Sequence, residues 1–133
     1  MANPPLILIV DDEPHIVHVL SVKLQEAGLG VICAMDGRSA LELALESTPD
    51  LVITDFQMPL LNGRELCDAL LDNESTRLTP VVMLTARSHS ISVDDQAMNI
   101  KAMIGKPFSP REVLKKVLEL LDLNPGTEVA KAS

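Results

Sequence analysis

Apolar residues in this chain fall in short unbroken runs: LILIV at 6–10, VICA at 31–34, LVIT at 51–54, VVML at 81–84 and a weaker AMI at 102–104. A strand open to water on one face alternates apolar and polar residues, whereas a run apolar throughout needs cover on both faces. Between the runs, apolar positions recur at helical spacing. Residues 14–27 open with Pro14 at a first helical position, carry Ile16, Leu20, Leu24 and Ala27 on one face, and stop at Gly28. Residues 37–46 follow Asp36 as N-cap, with Ala40, Leu41, Ala44 and Leu45 inward, and 63–72 carry Leu66, Ala69 and Leu70. SPRE at 109–112 predicts a capping box, Ser109 with Glu112, ahead of the stripe Val113, Val117, Leu120 and Leu121. The segment 87–99, Ser-rich and β-branched, is expected to be the least stable helix.

Five strand–helix alternations predict a doubly wound parallel sheet with five helices and right-handed crossovers. In such sheets the ligand site lies beyond the carboxyl ends of the strands. That rule gathers Asp11 and Asp12 after the first strand, Asp55 at the end of the third, Thr85 at the end of the fourth and Lys106 after the fifth.

Composition narrows the chemistry. The 133 residues suit one domain, with 47% hydrophobic residues and only 2% aromatic, so the core is aliphatic. With a net charge of −8, no Lys/Arg cluster and few aromatics, direct nucleic-acid binding is not expected. PLILIV is too short for a signal peptide or a membrane span, so the expectation is a cytoplasmic protein. Cys33 and Cys67 have no metal or redox spacing and are expected as small buried thiols. His15 and His18, one helical turn apart, His89, and the pair Lys115–Lys116 are expected as solvated groups.

Three carboxylates about 5 Å apart repel by roughly 3 kcal/mol per pair at an effective dielectric of about 20. The cluster must therefore hold a proton or a cation, and an all-oxygen site suits Mg²⁺ or Mn²⁺. A hard cation, a lysine and a hydroxyl around one carboxylate can hold three phosphoryl oxygens, and the carboxylate itself can be the nucleophile. Ala86, small and next to Thr85, leaves an entry path.

These residues resemble a known family. LIVDDEP, DFQMPLLNG, LTA and KPF, in this order, are similar to the motifs of the receiver domain of bacterial two-component response regulators. The resemblance covers roughly residues 5–122, leaving 123–133 as a flexible tail. It implies a flavodoxin-like sheet of order 2-1-3-4-5 and a cis Lys106–Pro107 peptide. It also implies that Asp55 is the phosphoacceptor, that Asp12 binds Mg²⁺ directly and Asp11 through water, and that the Gln57 carbonyl is a further ligand. Thr85 and Lys106 would hold phosphoryl oxygens, while Gln57 and Arg87 would tune the lifetime of the phosphate. The implied partners are a histidine kinase or phosphotransfer protein and a downstream protein, with no membrane and no direct nucleic-acid contact.

The sequence departs from the family pattern around the fifth strand. Met103 stands where the family carries a switch Tyr or Phe, Asn99–Ile100 where it has Gly-Ala, and Lys101–Ala102 where acids are common. Switching is therefore expected to rest on the ordering of 87–99. The competing reading is a degenerate receiver acting as a phosphate-independent interaction module. An Asp-nucleophile phosphatase would need an acid two residues after Asp55, where Gln57 stands, so an enzyme acting on foreign substrates is not expected.

Overall fold

The computed structural model describes residues 4–86 and 98–122. Its elements are β1 (Leu6–Val10), α1 (Pro14–Glu26), β2 (Gly30–Ala34), α2 (Gly37–Ser47), β3 (Leu51–Asp55), α3 (Gly63–Leu71), β4 (Val81–Thr85), β5 (Ile100–Gly105) and α4 (Pro110–Leu120). The five strands are all parallel, in the order β2-β1-β3-β4-β5. Four helices lie among the described residues; most of the expected helix 87–99, with Arg87 and His89, and the tail 123–133 lie outside them. No helix among the described residues is long and apolar enough to cross a membrane.

The unbroken apolar runs are explained by two cores, one on each face of the sheet. Ile7 and Ile9, Leu51 and Ile53, and Val82 and Leu84 pack on the face covered by α1 and α4. Their sequence neighbours Leu8 and Val10, Val52, and Val81 and Met83 pack on the α2–α3 face. Successive side chains on a strand point to opposite faces, so a strand serving two cores has no polar position to spare.

Where the helices differ from expectation, helical geometry supplies the reason. On α2 the close-packed side is Gly37, Ala40 and Ala44, and Leu45, next around the turn, faces solvent. On α4 the third fully buried side chain is Leu118, with Leu120 and Leu121 at the core margin. The capping box expected at Ser109 does not form. The Ser109 carbonyl already accepts the Glu112 N–H at 3.0 Å and the Val113 N–H at 3.2 Å, which leaves the hydroxyl without its usual donor. A capping box instead opens α3: the Asn62 side chain accepts the Glu65 N–H at 2.8 Å, and the Glu65 carboxylate accepts the Asn62 N–H at 2.9 Å. Cys67 is buried as expected, but Cys33 is exposed because β2 is an edge strand.

The start of α3 is held tightly against the end of β3. The Gly63 N–H donates to the Phe56 carbonyl at 2.7 Å, and a side chain at Gly63 would put its Cβ 2.6 Å from the Asp55 carbonyl oxygen. MPLLNG thus forms a turn whose last residue must be glycine for the helix to begin beside Asp55.

Candidate active site at the carboxyl edge of the sheet

Parallel register brings the ends of β1, β3, β4 and β5 to one edge. Asp55 lies opposite Leu84 and Thr85 opposite Gly105, and the Lys106 N–H donates to the Thr85 carbonyl at 2.8 Å. The backbone therefore delivers Lys106 to the place where Asp11 and Asp55 emerge. Its Nζ lies 3.1 Å from Asp11 Oδ2 and 3.3 Å from Asp55 Oδ1. The Lys106–Pro107 peptide is cis.

The acids are built in by their own backbone. Asp11, fully buried, accepts the Glu13 N–H on Oδ1 at 2.9 Å and Lys106 on Oδ2. Asp55 Oδ1 accepts the Phe56 N–H at 2.9 Å. Asp12 is exposed at the mouth, and Asp11, Asp12 and Asp55 each present a carboxylate oxygen within 4.8 Å of the other two.

Burial raises the Asp11 carboxyl above its ordinary 3.8, outweighing the Glu13 N–H and Lys106, which favour the charged form. Burial raises Asp55 as well; Lys106 opposes this and the Asp11 charge adds to it. For Lys106, burial acts to lower the pKa, but the Asp11 hydrogen bond and the Asp55 and Asp11 charges prevail and hold it above 10.5. The ammonium is firmly cationic while the two acids stay under-compensated, so the cluster favours added positive charge. Three oxygen donors of this kind fit a hard divalent cation.

Thr85 is buried, and Ala86 and Gln57 are exposed beside the cluster. Met103, half-buried and opposite Met83, packs into the α2–α3 core. His15 and His18 are exposed. One neighbour escaped the sequence reading: the Glu13 carboxylate lies 3.6 Å from Lys106 Nζ. Its signal was the third acid of DDEP, but whether an N-cap side chain leans toward the site depends on local geometry that the motif does not state.

Fold and site together define a flavodoxin-like domain with an acid–lysine cluster at the carboxyl edge of its sheet. More particularly, the chain belongs to the response regulator receiver domain family of two-component signalling, whose sequence model matches residues 7–118. It is 38% identical over 119 residues to the alkaline phosphatase synthesis transcriptional regulatory protein PhoP of Bacillus subtilis (strain 168). That match covers 86% of this chain and 48% of PhoP, so the chain spans about half the length of that relative. The structure is similar to the chemotaxis response regulator CheY4 of Vibrio cholerae, with a TM-score of 0.82 and 31% identity, covering 88% of this chain and 98% of that one. It shares its fold with the receiver domain of the sensor histidine kinase PA1611 of Pseudomonas aeruginosa PAO1, which holds a magnesium ion in its active-site cleft; the TM-score is 0.80 at 23% identity, covering 90% and 98%.

Proposed function

We propose that this domain accepts a phosphoryl group on Asp55 from the phosphohistidine of a histidine kinase or phosphotransfer protein and signals through contact with a downstream protein. The observation that carries this reading is the buried Asp55 carboxylate held 3.3 Å from Lys106 inside a cluster of acids. An Asp55 oxygen forms the new bond to phosphorus. The phosphorus–nitrogen bond of the donor breaks, and its electron pair stays on an imidazole that leaves protonated. Lys106 and Thr85 donate to separate phosphoryl oxygens, so the chain's work is positioning and charge neutralisation.

Asp12, Asp55 and the Gln57 carbonyl would hold a divalent cation, with Asp11 bridging through water. The magnesium ion in the PA1611 domain supports Mg²⁺ as the natural choice, and the hard oxygen set also suits Mn²⁺. When bound, that ion would neutralise the acids and the phosphoryl oxygens. With Gln57 where a phosphatase would carry its acid, the domain is not a catalyst for foreign substrates. It hydrolyses its own aspartyl phosphate at a rate set by Gln57 and Arg87.

Intact mass after incubation with Mg²⁺ and phosphoramidate tests the proposal. A single phosphoryl adduct that requires Mg²⁺ and is lost in Asp55→Asn is the expected result. An adduct that persists in that variant, or none in the folded wild type, overturns it.

A further inference from the structure

We propose that Glu13 determines donor specificity: its carboxylate is a charge gate that slows phosphorylation by free, highly anionic phosphodonors. The inference rests on the reading of Asp55 as phosphoacceptor.

Lys106 is surrounded by three carboxylates, Asp11 at 3.1 Å, Asp55 at 3.3 Å and Glu13 at 3.6 Å. The three are not equivalent. The Asp11 side chain is fully buried and that of Asp55 is 11% exposed, whereas that of Glu13 is 62% exposed. Glu13 can therefore leave Lys106 without stranding a buried charge, and the other two cannot.

Glu13 does not owe its place to helix capping. It is the N-cap residue of α1, yet its side chain makes no cap hydrogen bond. Its N–H is fixed on Asp11 Oδ1 at 2.9 Å, which pins the backbone while the carboxylate leans on Lys106. With Lys106, His15, Ile16, Pro107 and Phe108, it also lines a groove of about 500 Å³ beside the acid cluster.

A donor that reaches Asp55 past Lys106 runs alongside this carboxylate. At 3.6 Å Glu13 is an ion-pair neighbour of Lys106 rather than a hydrogen-bond acceptor; its charge offsets part of the lysine's attraction for a phosphoryl oxygen, and it repels the arriving anion. Both effects grow with the negative charge of the donor. A protein donor covering the groove can bring its own cation to Glu13; a free anion brings none.

The test compares rates of adduct formation, by intact mass, for wild type, Glu13→Gln and Glu13→Asp. The two donors are acetyl phosphate, a dianion, and phosphoramidate, a monoanion, each at low and high salt with Mg²⁺ present. Glu13→Gln is expected to speed acetyl phosphate about three- to tenfold and phosphoramidate less, with a gain that shrinks as salt rises. Glu13→Asp keeps the charge and stays near the wild-type rate. Equal effects on both donors, a gain indifferent to salt, or slowing by Glu13→Gln overturns the gate while leaving Asp55 as phosphoacceptor. Absence of any adduct, in wild type as well, overturns the phosphoacceptor reading and the gate with it.

Discussion

The two ends of the sheet use their polar side chains differently. At the amino edge three of them, Asp50 exposed and Thr76 and Asn99 buried, bond to nearby backbone. Asp50 accepts the Leu6 N–H at 2.7 Å, Thr76 donates to the Leu70 carbonyl at 2.8 Å, and Asn99 donates to the Cys67 carbonyl at 3.1 Å. At the carboxyl edge the side chains face one another: the carboxylates of Asp11, Glu13 and Asp55 gather around the ammonium of Lys106, and Asp12 lies with Asp11 and Asp55. Groups bonded to backbone in this way hold loops in place, and the one buried side-chain atom among them without a hydrogen bond, Asn99 Oδ1, is a neutral amide oxygen. Mutually facing charges with an excess of one sign are a standing demand for a ligand of the other sign. The difference separates a structural polar residue from a functional one without reference to any relative.

The largest expected effect is at the carboxyl edge. Lys106→Met removes the cation that Asp11 and Asp55 share, and breaking a buried pair from one side costs about 3 kcal/mol or more. Urea unfolding monitored by far-UV circular dichroism should show that loss without Mg²⁺ and recover most of it when Mg²⁺ is added. A loss that Mg²⁺ leaves untouched means the lysine serves packing rather than charge. Next comes the amino edge, where Thr76→Val removes a fully buried hydroxyl and leaves the Leu70 carbonyl without it. That change should cost about 1–2 kcal/mol. The phosphorylation rate at Asp55 should not change. A slowed rate in a folded Thr76→Val protein would erase the distinction between the two edges.

Which parts of this contrast could be read in advance depends on how far each feature is fixed by topology. Asp11, Asp55, Thr85 and Lys106 were legible as a group because strand ends in a parallel sheet share one edge, whatever the side chains do. The two-sided cover of β1, β3 and β4 followed from their unbroken apolar runs. Strand order came only with the family resemblance. VICA, read as one more apolar run, therefore gave no warning that Cys33 would lie on an edge strand and face solvent. The capping box offers a sharper lesson. Ser109 and Glu112 have the pattern without the bonds, and Asn62 and Glu65 have the bonds without having been singled out. Both sets have the right residue spacing, and the first-turn backbone geometry decides between them. Glu13 escaped for the same reason.

The smallest effect gives the finest test of the contrast, since it asks whether the acid excess itself is destabilising. Asp55→Asn removes a carboxylate whose burial and repulsion from Asp11 together outweigh its Lys106 contact, so the Mg²⁺-free protein should gain about 1 kcal/mol at neutral pH. The pH dependence gives the sign independently. Burial raises the Asp55 carboxyl in the folded protein above its ordinary 3.8. Between 3.8 and that raised value the folded state binds more protons than the unfolded state, so stability falls as pH rises through the window. Asp11 is raised for the same reason and acts in the same direction. Lys106, raised above 10.5, contributes stability that is fully present below that value and is lost only in strong alkali. Urea midpoints measured from pH 4 upward without Mg²⁺ should therefore decline in the wild type and decline less in Asp55→Asn. Mg²⁺ should flatten the wild-type curve toward that of the variant. A wild-type stability that instead rises through this range would mean that Lys106 already satisfies both acids, and the carboxyl edge would then resemble the amino edge in carrying no demand for a cation.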